Sequence, residues 1–214
     1  MTARTHPGAV IHCWDHLVIT LRDGAGSETG FLSLYAIAYS ASLGAGHVAV
    51  IEVAVSPAAS SAGPYAATFT DDVGLGQRQQ ERLRAMGDER AIRSGPPRLA
   101  RFEREPYGPA GFGFRIRTDG LEIAARWEDP EPPFWVDGQD GGFSDTEDIW
   151  AMFVGARRAS LTMAGVAVPG TPFEDDVWRP KLGRSLSSAH GAFAEVRVEP
   201  VTPISGRATA TDPD

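Results

Sequence analysis

Three runs rich in branched and aromatic residues, IHCWDHLVITLR, FLSLYAIAYS and HVAVIEVAV, follow one another within the first 55 residues, separated only by the short turn-forming stretches DGAGSETG and ASLGAG. Residues of this kind favour extended backbone, and linkers this short cannot carry the crossover of a dozen or more residues that a parallel pairing needs. Residues 12–22, 31–40 and 47–55 are therefore expected to form an antiparallel meander. The strand pattern resumes at 99–105, 112–117 and 121–127, the last two joined across Asp119-Gly120, one of the strongest hairpin signals a sequence offers. It continues at 149–157, 160–168 and 192–198. Residues 56–97 break the rhythm with a small-residue loop and then QRQQERLRAMGDERAIR, where Leu83, Met86 and Ile92 recur at helical spacing among charges. The fold class predicted is all-β: an antiparallel β-barrel of eight to nine strands with one inserted helix, since closure hides strand edges. Residues 1–202 are expected to form one barrel domain, with 56–97 as a helical insertion or lid and 203–214 as a disordered tail.

Charge and cysteine content narrow the partners. A formal charge of -8 over 214 residues disfavours a nucleic-acid surface, because binding a polyanion needs a basic face. Cys13 is the sole cysteine, which excludes an intramolecular disulfide and a cysteine-built zinc site within one chain. No apolar run is long enough for a signal peptide or a membrane span, so a cytoplasmic protein is expected. Abundant Ala, Gly, Arg and Asp with little Lys point to a high-GC bacterial gene. The apolar strands leave a homodimer open.

Several residue clusters invite chemistry. His12, Cys13, Asp15 and His16 crowd into five positions, but on a strand His12 and His16 lie about 13 Å apart and cannot reach one metal ion. No metal is assigned. The same alternation puts His12, Trp14 and His16 on one face. Asp71 and Asp72 read as a loop or helix cap. Neither a GxSxG elbow nor a phosphate-cradling loop is present, so no cofactor is assigned. Ser187, Ser188 and His190 are too close along the chain to form a triad by themselves and read as a turn entering the last strand. Glu174, Asp175 and Asp176 precede Trp178, and burial beside aromatic rings would raise the pKa of an inward acid, as a general acid requires. Trp127, Phe134, Trp135, Phe143, Trp150, Phe153, Phe173 and Trp178 fall in the second half around one Pro-rich loop. Core filling explains most such rings, but together they also suit an aromatic-lined pocket mouth.

The order WDHLVITLRDGAGSETGFLSLYAIAY, then IWAMFVGARRASLTMAGVAVPGTPFEDDVW, resembles the lipocalin-like superfamily of carotenoid hydratases and related barrel enzymes, over roughly residues 12–180. Members of that superfamily typically join two barrels and include hydratases, acid-initiated cyclases and Diels–Alderase-type catalysts of intramolecular cycloaddition. The acid-tryptophan motif falls on Asp175, Asp176 and Trp178, with Val177 where the family usually has histidine. The resemblance implies a cofactor-independent cyclase or hydratase of bacterial secondary metabolism acting on an apolar polyene, polyketide or terpenoid. Asp175 and Asp176 are its candidate catalytic residues. Its candidate substrate-binding residues are Trp14, His16, Tyr35, Trp127, Trp135, Trp150, Phe153 and Trp178. A non-catalytic carrier of a hydrophobic small molecule is the alternative.

Overall fold

The computed structural model describes residues 8–54, 63–138 and 147–199. In chain order the elements are β1 (Val10–Arg22), β2 (Glu28–Ser40), β3 (Gly46–Val53), β4 (Tyr65–Thr70), α1 (Val73–Ala85), α2 (Glu89–Arg93), β5 (Arg98–Leu99), β6 (Arg101–Gly108), β7 (Gly111–Thr118) and β8 (Leu121–Pro130). There follow β9 (Phe134–Gly138), β10 (Asp148–Met163), β11 (Val166–Ala167), β12 (Glu174–Asp175), α3 (Arg179–Leu182), β13 (Leu186–Ser187) and β14 (Ala189–Val198). One large curled sheet runs β5-β4-β3-β2-β1-β14-β10-β8-β7-β6, with β9 and β11 also paired to β10 and β12-β13 forming a separate ribbon.

The fold is mostly β, as predicted, but several particulars differ. The sheet is mixed, because β4 and β5 pair in parallel. Strands outnumber the eight or nine expected. The two runs at 149–157 and 160–168 are largely one 16-residue strand, β10, since nothing between them forces a turn. It pairs with β14 through its first half and β8 through its second, so it is the seam about which the sheet curls. Among the described residues three helices replace the single one expected. Gly87 (φ 82°) breaks the charged run, and Asp88 restarts it by accepting from the amides of Arg90 and Ala91. Asp72 caps α1 by accepting from Leu75 N at 2.8 Å, while Asp71 accepts from His47 N. The Asp119-Gly120 hairpin forms as predicted, with Gly120 at φ 100°. Among the described residues the sheet does not close into a barrel; the β6 edge carries alternating charges such as Arg101, Glu103, Arg104 and Glu105, which discourage edge pairing. The small-residue run before residue 63, Phe143 and the 203–214 tail lie outside the described residues.

The curl brings two walls together, and side chains fill the space between them. Leu17, Ile19 and Leu21 of β1, Leu32 and Leu34 of β2, and Ala49 and Ile51 of β3 meet Phe112, Phe114 and Ile116 of β7, Ile123 and Trp127 of β8, and Leu161 and Met163 of β10. Trp127 is fully buried, stacks on Phe112 at 5.1 Å and donates from Nε1 to the Val18 carbonyl at 2.8 Å, which ties the walls. This interior is a packed core where a ligand-sized hollow was expected. A second, smaller apolar layer lies on the other face of the same sheet. There Leu75 and Leu83 of α1 and Ala91 of α2 cover Trp14, Phe31, Tyr35, Val48 and Val50. Among the described residues no helix is long and apolar enough to cross a membrane.

Candidate functional site

The cavity that gathers the most chemistry lies outside the curl, on the helix-covered face. It is a half-open groove of about 720 Å³. Alternation along β1 sends Leu17, Ile19 and Leu21 into the core and turns His16, Val18, Thr20 and Arg22 to the groove. Phe31, Ser33 and Tyr35 of β2 do the same beside them, and Ser188 and His190 extend the floor on the other flank of β1. One rim is the α1–α2 turn, from Leu83 through Met86 and Gly87 to Arg90 and Arg93; the other is Phe173, Asp175, Val177 and Trp178. Part of the inserted 56–97 segment thus borders the groove. Ser188 pins the second rim by donating to the Thr20 carbonyl at 2.7 Å and accepting from Phe173 N at 3.0 Å.

Two imidazoles share the floor. His190 lies across from Val18, two strand positions from His16. Its Nδ1 is 2.8 Å from the Ser187 carbonyl. A carbonyl only accepts, so Nδ1 carries the proton and Nε2 keeps its lone pair. Burial lowers the His190 pKa to about 4, an effect opposed by the Ser187 contact and by the negative charge of Asp175. His16 stacks on Tyr35 with centroids 4.1 Å apart, and its Nε2 lies 2.9 Å from Ser33 Oγ. Its pKa falls to about 3, first through burial and then through repulsion from His190. Tyr35 is pushed up to about 12 by burial and by the charge of Glu195. At neutral pH the floor therefore holds two neutral imidazoles and a neutral phenol.

Behind this end of the groove, Trp14 is sealed from solvent. It packs edge-on against Tyr35 at 5.5 Å and lies flat against His12 at 4.6 Å, with the Arg82 and Arg197 guanidiniums 5.0 and 5.3 Å from its ring. Arg197 pairs with Glu147 and Glu195 at 2.7 and 2.6 Å, which neutralises part of that positive charge.

The expected site residues separate into groups. His16, Tyr35, Trp178 and Asp175 come together in the groove. Trp14 supports its end, and Phe153, in contact range of His190 at 6.3 Å, packs beneath with Phe134 and Leu186. Trp127 belongs to the core. Trp135 points outward on β9, 61% exposed, and Trp150 sits on β10 opposite Val196, outside the groove lining. Asp176 faces solvent, paired with Arg179 at 2.8 Å; a hydrogen bond from Ser185, then Arg179, holds its carboxyl below the usual range, the reverse of the shift a general acid needs. His12 binds Ser40 and His16 binds Ser33, so the crowded motif at 12–16 diverges as its strand character required. Asp15 serves the fold: it accepts from the Ala194 amide at a β-bulge and pairs with Arg104 at 2.8 Å. Among the described residues no group of three or more His, Cys, Asp or Glu gathers in metal-holding geometry.

His190 and Ser33 were not anticipated as site residues. The usable signal was a polar side chain on the same alternating face as His16 and Tyr35; His190 lies outside the strand expected at 192–198, because β14 starts three residues earlier, at Ala189.

No protein-family model and no curated protein matches the chain, and the lipocalin-like family finds no support there. Among solved structures the chain is similar to an acetoacetate decarboxylase from Legionella pneumophila subsp. pneumophila str. Philadelphia 1, with 10% sequence identity and a TM-score of 0.40, over 94% of this chain and 88% of that one.

Proposed function

We propose that the chain is an enzyme that binds a largely apolar carbonyl compound in the external groove and closes or rearranges it by proton transfer, as in cyclisation of a polyketide-type chain through an enolate. The observation that carries this reading is the buried His190, whose Nδ1–H is committed to the Ser187 carbonyl and whose Nε2 lone pair is left for substrate. A neutral base in a partly desolvated floor can take a proton from carbon, and the imidazolium that forms is favoured by the charge of Asp175. A base weakened to about pKa 4 suits a carbon already acidified by two flanking carbonyls better than an ordinary ketone. Tyr35 supplies a hydroxyl toward the oxygen on which charge develops, and Ser33 holds His16 beside it. Phe31, Val18 and Trp178 supply apolar contact for the chain. Of the chemistries compatible with the sequence, this favours base-initiated closure over carbocation chemistry, and it gives Asp175 an electrostatic role.

The test is deuterium uptake from D2O at the carbon between the carbonyls of a 2-alkyl-1,3-diketone, followed by NMR. Uptake above the buffer rate is expected, with His190→Gln slowing it about 100-fold, the low end for a positioned base. An unchanged rate in that variant refutes the reading. The carrier alternative rests on the same lowered basicity, since neutral imidazoles also suit a protein that only shelters a neutral ligand; binding of the diketone without accelerated exchange favours it.

A further inference from the structure

The groove has a second end with a different character. Arg22, the outermost β1 residue on the groove face, lays its guanidinium 3.7 Å from the centroid of the Phe173 ring. Its direct cross-strand neighbour is Glu28, the natural ion-pair partner, but both Glu28 oxygens lie 2.8 Å from Arg90 Nη2. The other rim charges are engaged too. Arg93 bonds Glu52 and Glu89, Asp88 caps α2, and Asp175 accepts from the Val177 amide. Among the described residues no carboxylate lies within ion-pair distance of Arg22. Stacking on an aromatic face leaves the in-plane N–H donors of a guanidinium free, and these match a carboxylate.

From this arrangement we infer that Arg22, on its Phe173 platform, anchors a carboxylate at one end of the ligand. The inference rests on the proposed function and narrows its substrate class. His190 lies opposite Val18, four residues from Arg22 along β1, so the reacting carbon and the carboxylate are separated by about 13 Å of strand. The substrate class is an elongated acid: carboxylate at the Arg22 end, apolar chain over Phe31 and Val18, acidic carbon at His190.

Decanoate, whose extended length approaches that spacing, and methyl decanoate are the probes, with calorimetry on the full chain at low salt. Decanoate is expected to bind at least 10-fold more tightly than the ester, and Arg22→Gln to bring the two within 2-fold. Arg22→Lys should retain part of the preference, and Phe173→Leu should weaken it several-fold by removing the platform. Thermal melts show which variants stay folded; should Arg22→Gln fail to fold, the Phe173→Leu result decides. Equal binding of acid and ester, no binding of either, or a preference that survives Arg22→Gln and Phe173→Leu overturns the inference. Because the diketone exchange assay uses an uncharged probe, it reads His190 independently of Arg22, so either proposal can fail while the other stands.

Discussion

The two faces of β1 behave as different materials. One face, Leu17, Ile19 and Leu21, is locked into a core of buried apolar side chains; the other, His16, Val18, Thr20 and Arg22, carries polar groups into a half-open groove. A strand rotated by one position would exchange the two sets, so register alone separates core from groove here. Curling the sheet serves packing, while the helical insertion and the segment around Phe173 border the groove on its back.

Substitutions on each face should separate those roles. Trp127→Ala, inside the curl, removes a buried ring and its bond to Val18 and is expected to cost about 3–5 kcal/mol in chemical denaturation. A loss below 1 kcal/mol would mean that the interior is looser than its packing implies. On the groove face, His190→Gln should show its largest effect in the exchange assay described above, and the comparison fails if core and groove variants lose stability and exchange in parallel.

Acid titration probes the groove face more gently. His16 and His190 have folded pKa values lowered to about 3 and 4, against an ordinary value of 6.5. The unfolded chain binds their protons first as pH falls. Their contribution is therefore fully present above pH 6.5 and is lost progressively as pH drops from there toward 4 and 3, with a slope of up to about 1.4 kcal/mol per unit for each group. Denaturant midpoints measured from pH 7 to pH 4 should fall, and His190→Gln should flatten the fall. An identical slope in wild type and variant would contradict a buried neutral imidazole.

The smallest effect concerns the rim. Asp72→Ala unfastens the start of α1 and is expected to cost about 1 kcal/mol, with modestly weaker diketone binding because α1 carries Leu83, and Met86 just after it, to the groove. Binding unchanged despite the stability loss would detach the rim from the site.

Much of the β architecture was legible because strand alternation and turn chemistry are local. The meander of β1 to β3, the Asp119-Gly120 hairpin and the capping role of Asp72 all follow from neighbours in sequence. What was hidden depends on distant contacts. β4 has only YAATFT to announce it, β9 emerges from a Pro-rich loop, and the two-residue strands have no period to read. Closure was inferred from a need to hide edges, whereas charges on β6 manage that edge locally. The shared face of His12, Trp14 and His16 was readable, but not which face would meet the core. Trp127 and Trp178 look alike in sequence; one ties the walls of the core and the other lines the groove.

A crystal structure of the protein soaked with the 2-alkyl-1,3-diketone tests the central claim most directly. Density for the diketone against His16, Tyr35 and His190, beneath the α1–α2 turn, is the expected result. Density among Leu34, Ile116 and Trp127, inside the curled sheet, would contradict it.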